Sequence, residues 1–380
     1  MVSMNSIHFQ RWVNQFKDTD HEIFWFDIKD GALVPNLDWV ETFQNWKYKY
    51  PKLKGRHLIK KTFPQFNHFF ENSPAKAFEK VLLDIKPDIV HSFVLYISCA
   101  PILSVMLRYK HIKWIYSSWG SDLFYYKNIP KFKKDILEVL PRVNYLITDC
   151  KRDVNLAERL GFKGELLGVF PGGGGYNFNE TDKYIKPLSE RSIILVKGYQ
   201  GRSGRCIEVL KALMVIENKI KTYEVVVFGA DPEVETFVAQ HKIFNYINLK
   251  LYSKTQLLPH ERILELMGSA LLYIGNSNSD GMPNTLLEAI ILGAFPIQSN
   301  PGGASEDVIT DKKNGMLIQD CLDIEEIKTL IINALNQSNV LEQAFNINQK
   351  QIKPKYEITL LRSQVLEAYS VIEKTINDIV

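Results

Sequence analysis

Two carboxylates, Asp280 and Glu288, stand eight residues apart in the stretch YIGNSNSDGMPNTLLEAIILGAFPIQSNPGGASEDV, residues 273–308. The apolar run before Asn276 reads as a strand, and residues 276–280 as a polar loop. A tight Gly281-Met282-Pro283 turn follows, and a helix starts near Asn284 or Thr285. Pro283 suits the first helical position, where no backbone donor is missed. The N–H groups of that first turn and the helix dipole point into the loop and favour an anion such as a phosphate. Carboxylates beside a phosphate repel it unless they serve neutral hydroxyls, and accepting from vicinal hydroxyls of a sugar or ribose is work that suits them.

Those residues need a scaffold. The chain has 380 residues, 46% hydrophobic and 23% charged, which points to two or three domains with large cores. That composition excludes a disordered, collagenous or disulfide-framework protein. A net charge of +3 is too small to argue for nucleic acid. Cys99, Cys150, Cys206 and Cys321 stand far apart with no CxxC pair or His-rich cluster, which argues against zinc and for a reducing compartment. The first residues lack a basic segment followed by an apolar one, so no signal peptide is expected. Residues 89–107 are long enough to span a bilayer, but His91, Pro101 and small polar residues favour a buried strand running into a core helix.

The N-terminal half alternates apolar strands (22–27, 88–94, 114–117, 145–148) with helical patterns such as Ile7–Phe16 and Lys151–Leu160. The second half restarts the rhythm, with strands at 192–196, 223–228, 247–252, 271–274, 295–298 and 315–318. Helices are expected at 206–216, 259–267 and 285–292, and residues 324–380 read as mostly helical. This is an α/β chain with parallel sheets covered on both faces. The boundaries read as an N-terminal domain over 1–172, a C-terminal domain over 190–352 and a tail over 353–380 that packs back toward the first domain. Four glycines, Gly172 to Gly175, read as a mobile loop near the boundary. Ligands are expected at the C-terminal ends of the strands, in a cleft between the domains.

Basic residues are concentrated in WKYKYPKLKGRHLIKK, Trp46 to Lys61, with no acid and with aromatics interleaved. Such a stretch suits either a solvated loop or an anionic membrane surface, where each Lys or Arg contributes about 1 kcal/mol. The short motifs of other enzyme classes are absent: there is no GxxxxGK[ST], HExxH or GxSxG. Gly198-x-x-Gly201-x-x-Gly204 is not a dinucleotide fingerprint. These absences weaken the dehydrogenase, ATPase and hydrolase readings.

The segment Asp280-Gly281-Met282-Pro283-Asn284-Thr285-Leu286-Leu287-Glu288 resembles the donor-site signature of family-4-like retaining glycosyltransferases with the two-domain GT-B fold, commonly written EGFGxxxLE. Ser299, Gly302, Gly303 and Glu306 continue the resemblance. It implies two Rossmann-like domains facing a central cleft, with a C-terminal helical tail. It implies a metal-independent, hexosyltransferase-type enzyme acting on a UDP- or GDP-linked sugar, with no cofactor. Asp280 would hold hydroxyls of the transferred sugar, and its shorter reach than the family's Glu bears on which sugar that is. Gly281, Met282, Pro283 and Asn284 would form the turn that offers backbone N–H groups, and Glu288 would hold the ribose. The family's basic pair, which neutralises the diphosphate, falls on Lys197 and Arg205, with Arg202 as the spare; the family more often has Arg first. Ser253 and Lys254 match the base pocket.

On the acceptor side, Trp119-Gly120-Ser121-Asp122 resembles an HGSD-like element with Trp119 in place of His. Asp122 would orient the acceptor hydroxyl or cap a helix. Ser6-Ile7-His8 resembles the family's first loop, which makes His8 and Trp119 the acceptor contacts. The strand before that loop is reduced to Met1–Met4, so a very short strand or a late chain start is expected, and a missing strand would expose a core edge. His91 reads as a core residue. The resemblance implies a cytoplasmic enzyme that builds surface polysaccharide on a saccharide or lipid-linked acceptor, and the basic stretch Trp46 to Lys61 suggests a peripheral position at the inner face of the membrane. A nucleotide-sugar 2-epimerase and a non-catalytic nucleotide-sugar-binding partner are the rival readings.

Overall fold

The computed structural model describes residues 1–31, 37–50, 62, 67–245, 247–256 and 258–377. The chain divides into two units: Met1–Asp149 with Asp153–Gly174 and Arg362–Val380, and Cys150–Arg152 with Gly175–Leu361.

In the first unit, seven strands form one sheet: β1 (Val2–Ser3), β2 (Phe24–Asp27), β3 (Glu41–Phe43), β4 (Ile89–Phe93), β5 (Lys113–Ser117), β6 (Tyr145–Thr148) and β7 (Glu165–Val169). The order is β3-β2-β1-β4-β5-β6-β7, with every pairing parallel. A central strand of such a sheet is covered on both faces, and Trp114, Ile115 and Tyr116 of β5 are all buried accordingly. Strand β1 is two residues long, yet it lies inside the sheet. Val2 pairs with Phe26 on one side and Ser92 on the other, so no core edge is exposed there.

Helix α1 (Ile7–Val13) follows β1 and is capped by the Ser6 hydroxyl, which accepts from the Phe9 amide at 3.2 Å. The last long helix, Ile358–Asn377, joins the first unit from Arg362 onward. Val365, Tyr369 and Ile372 recur on one face at helical spacing and pack with Phe9, Trp12, Phe16 and Trp25. The Arg362 guanidinium donates to the Gln15 carbonyl at 2.8 Å.

His91 is in this core, 2% exposed, stacked on Phe93 and hydrogen-bonded to the Ser117 hydroxyl at 2.7 Å and to the Tyr369 hydroxyl. Burial pushes its pKa well below the ordinary 6.5. The unfolded chain gains a proton here as the pH falls through about 6.5, and the folded chain does not. The stability His91 contributes is therefore present above that pH and is lost as the pH falls toward the folded-state value. Denaturant unfolding of the protein should lose up to about 1.4 kcal/mol more per pH unit below 6.5 than unfolding of His91→Gln. Equal slopes in the two proteins would contradict this.

The second unit carries β8 (Ile193–Lys197), β9 (Glu224–Ala230), β10 (Leu249–Ser253), β11 (Ala270–Gly275), β12 (Phe295–Ser299) and β13 (Met316–Ile318). Their order is β10-β9-β8-β11-β12-β13, again parallel throughout. In both units the order reverses after the third strand, between β1 and β4 and between β8 and β11. In open α/β sheets that switch point, at the C-terminal strand ends, is where ligands bind. Two helices serve the second switch point: α2 (His260–Ser269) and α3 (Asn284–Ile291). Leu264 and Met267 of α2 share a core with Leu286, Leu287 and Ile290 of α3 and with Leu195 and Tyr273 of the sheet.

Two sequence expectations change. The glycine run is a packed turn. Gly174 and Gly175 have φ of 68° and 89°, and a Cβ on Gly175 would lie 2.8 Å from Ile358 Cα. Tyr176 then donates to the Tyr356 carbonyl at 2.9 Å, fixing the turn's exit. Trp46, the first residue of the basic stretch, stacks on Phe26 at 5.2 Å and donates to the Asp27 carbonyl at 2.8 Å, so its ring belongs to the fold. Residues 51–61 of that stretch lie outside the described residues. Residues 89–93 form the buried strand expected there, β4, after which Val94 turns the chain at φ 65°; among the described residues no helix is long and apolar enough to cross a membrane.

Candidate active site

Strand β8 ends at Lys197, next to the loop that follows β11. The two loops are tied together by their backbones. The Arg205 amide donates to Asn276 O at 2.9 Å, and the Asn278 amide to Ser203 O at 2.9 Å. Close approach explains Gly198 and Gly204: a Cβ on Gly198 would lie 2.7 Å from Ala230 Cα, and one on Gly204 would lie 2.1 Å from the Tyr199 carbonyl oxygen, whereas Gly201 turns the chain in open space at φ 84°. Gly198 and Gly204 serve chain packing.

This tie brings Lys197 Nζ within 3.6 Å of Asp280 Oδ2. Burial works against the lysine charge, but the negative charge of Asp280 outweighs it and holds the pKa above the ordinary value. The ammonium also lies 4.8 Å from the Tyr199 ring centroid. On the other side of the loop Lys254 lies 4.6 Å from the same centroid and pairs with Asp231 Oδ1 at 2.9 Å. Asp231 Oδ2 accepts the Gln200 amide at 2.9 Å, which anchors the loop. Two cations thus flank one half-exposed tyrosine.

Helix α3 starts at Asn284 with Pro283 as its N-cap, one position earlier than the sequence reading places the proline; its missing N–H costs nothing at either position. Gly281, Met282 and Pro283 are buried beneath the turn. The Gly281 amide donates to Asp280 Oδ1 at 3.1 Å, which orients that carboxylate. Below it Tyr273, fully buried, donates to the Thr285 hydroxyl at 2.8 Å. Burial pushes the Tyr273 phenol up to about 12. Glu288 is 4% exposed among Leu286, Leu287, Ala289, Ile290 and Ile291. It is no solvated surface acid. A carboxylate buried there needs a partner, and His260 Nε2 lies 2.9 Å from its Oε1.

The remaining predicted donor residues sit differently. Arg205 caps the helix Cys206–Val215, and its guanidinium donates to the carbonyls of Gly201, at 2.8 Å, and Gly204, at 2.5 Å. It shapes its own loop. Arg202 is exposed on the same loop. The Ser253 hydroxyl is 2.7 Å from both Glu235 Oε1 and the Thr255 hydroxyl, and builds the turn after β10.

In the first unit, His8 and Trp119 come together after β1 and β5, with ring centroids 5.4 Å apart. Gly172 completes the group: a Cβ there would lie 3.7 Å from His8 Nδ1. Asp122 is buried and filled with donors. Its Oδ2 accepts from the Leu95 amide at 2.9 Å and the Tyr116 hydroxyl at 2.6 Å. Its Oδ1 accepts from the Trp119 amide at 3.0 Å and the Ser118 hydroxyl at 3.2 Å. Burial raises its pKa against the pull of those four bonds. The carboxylate pins Trp119 and the turn after β4.

Sequence reasoning missed Tyr199, Asp231, Tyr273 and His260. The first two lie beside predicted residues, at the ends of β8 and β9. His260 follows Pro259 at a helix start and carries no spacing signal toward Glu288.

The family described as glycosyl transferase 4-like matches residues 1–149, and that described as glycosyl transferases group 1 matches residues 179–352. No curated protein sequence matches the chain. Among solved structures, a glycosyltransferase from Rickettsia africae is 16% identical, with a TM-score of 0.70 over 98% of each chain. Sucrose-phosphate synthase from Thermosynechococcus elongatus is 13% identical, with a TM-score of 0.70 over 98% of this chain and 99% of its own. Anabaena Alr3699/HepE in complex with UDP and glucose is 12% identical, with a TM-score of 0.68 over 97% and 98%. At these identities the likeness speaks for the fold. With both halves matched to glycosyltransferase families and the two-sheet architecture shared, the chain belongs to the family-4-like glycosyltransferases of the GT-B fold.

Proposed function

We propose that this glycosyltransferase moves a sugar from a UDP- or GDP-linked donor to a saccharide or lipid-linked saccharide acceptor, with retention of anomeric configuration and without a metal. The observation that carries the reading is the Lys197–Asp280 pair at the switch point of the second sheet, beside the helix that holds Glu288. Lys197 and the N-terminus of α3 take the diphosphate, Asp280 accepts from hydroxyls of the sugar, and Glu288 accepts from the ribose. Pairing with Lys197 lets a carboxylate stand near a diphosphate without repelling it. The UDP complex of the Anabaena neighbour supports a uridine donor.

In the transfer step the bond from the anomeric carbon to the diphosphate oxygen breaks, and the electron pair leaves with the phosphate. Lys197 and the helix dipole stabilise that growing charge. The acceptor oxygen bonds to the anomeric carbon on the same face, and its proton passes to the departing phosphate oxygen, so no separate base is required. In the first unit the His8–Trp119 pair offers an aromatic face to an acceptor sugar. The basic residues up to Lys61 fit a peripheral position at the inner face of the cell membrane, serving surface polysaccharide assembly.

The test is turnover of UDP- and GDP-sugars with and without lipid-linked saccharides, in chelator, with the product anomer read by NMR. Acceptor-dependent transfer with retained configuration is expected. Inversion, a metal requirement, or donor conversion without acceptor, as a 2-epimerase would show, contradicts the proposal.

A further inference from the structure

We propose that His260 is a positioning residue for the donor's ribose, acting through Glu288; this rests on reading Glu288 as the ribose acid. An ionised carboxylate only accepts hydrogen bonds, so the His260 Nε2 facing Glu288 Oε1 at 2.9 Å carries the hydrogen. That bond occupies one side of the carboxylate and fixes its plane. Oε2 is left to meet a ribose hydroxyl.

The geometry is set by packing. Glu288 sits in the second turn of α3, 5% exposed at its side chain, with apolar neighbours that offer it no hydrogen bond. His260 is the first residue of α2 after Pro259. The shared core of Leu264, Met267, Leu286 and Leu287 locks the two helices together, so the bond spans a fixed gap between them. His260 itself contributes little to that core, since its side chain is 47% exposed. Its replacement should leave the fold intact and release the Glu288 carboxylate to rotate.

A role in ribose recognition predicts discrimination between ribose and deoxyribose, which a merely structural role would not touch. Calorimetry would compare UDP with 2′-deoxy-UDP, and GDP with 2′-deoxy-GDP. The unsubstituted protein should prefer the ribonucleotide about 10-fold or more, the scale of one hydrogen bond to a charged group. His260→Ala should cut that preference about 3- to 10-fold through weaker ribonucleotide binding, with the deoxynucleotide held within about twofold. His260→Gln, whose amide N–H can replace the imidazole donor, should restore most of it. An undiminished preference in His260→Ala overturns the role of His260 while leaving Glu288 as the ribose acid. A preference that survives Glu288→Ala overturns the ribose reading itself, and the role of His260 with it.

Discussion

Lys197→Met should lower kcat by about 10²–10³-fold, the size of losing one preorganised charge-stabilising donor, or about 2.7–4 kcal/mol. Methionine keeps the apolar stem's length and gives up only the ammonium's contact with the Tyr199 ring, so the fold and its thermal stability should change little. The loss has two parts. The positive charge facing the breaking bond disappears. Asp280, neutralised in the protein by Lys197 at 3.6 Å, becomes an unpaired anion beside a diphosphate. The second part weakens nucleotide binding as well, so KM for the donor should rise. Steady-state kinetics with circular dichroism as a control checks this. A kcat within about threefold of the unsubstituted enzyme would remove Lys197 from the chemistry.

Asp280→Asn should separate the sugar from the nucleotide. Each hydroxyl bond to a carboxylate is worth about 1.5–3 kcal/mol, and the amide keeps the shape without the charge. With the transferred sugar held less firmly, kcat/KM should fall about 10²-fold. Binding of the bare nucleoside diphosphate should hold or tighten, because a negative charge near the phosphates is gone. Kinetics on the nucleotide sugar and calorimetry on the bare diphosphate give the two numbers. Equal losses in both would place Asp280 on the nucleotide instead of the sugar.

The local pattern placed Asp280 in a polar loop and Glu288 in an apolar helix, where the structure has them, but their separate roles on the sugar and the ribose came from the family resemblance and not from spacing. The strands were readable where β-branched and aromatic residues run together, as in Val225–Phe228 of β9. Strand β3, three residues with an exposed Glu41, and β7, with Glu165 and Leu166 exposed, lack such runs and were invisible. Glycine patterns marked the right places with the wrong physics. Freedom at positive φ served close packing at Gly174 and Gly175, where mobility was expected. Burial was the other blind spot. Asp122 and Ser253 carry the expected residue types, but their oxygens are spent on their own turns. The pairing of His260 with Glu288 depends on how two helices pack, and no local pattern encodes that.

Whether the second unit holds a nucleotide-sugar donor is tested by thermal unfolding of the protein with UDP, GDP, ADP and CDP, repeated with Glu288→Ala. A ligand at 100 times its dissociation constant adds about 2.7 kcal/mol of stability, a readable shift. A clear rise is expected with one of these nucleotides, UDP or GDP, and its loss in the variant. No response to any of the four would contradict the assignment of the second unit as the donor site.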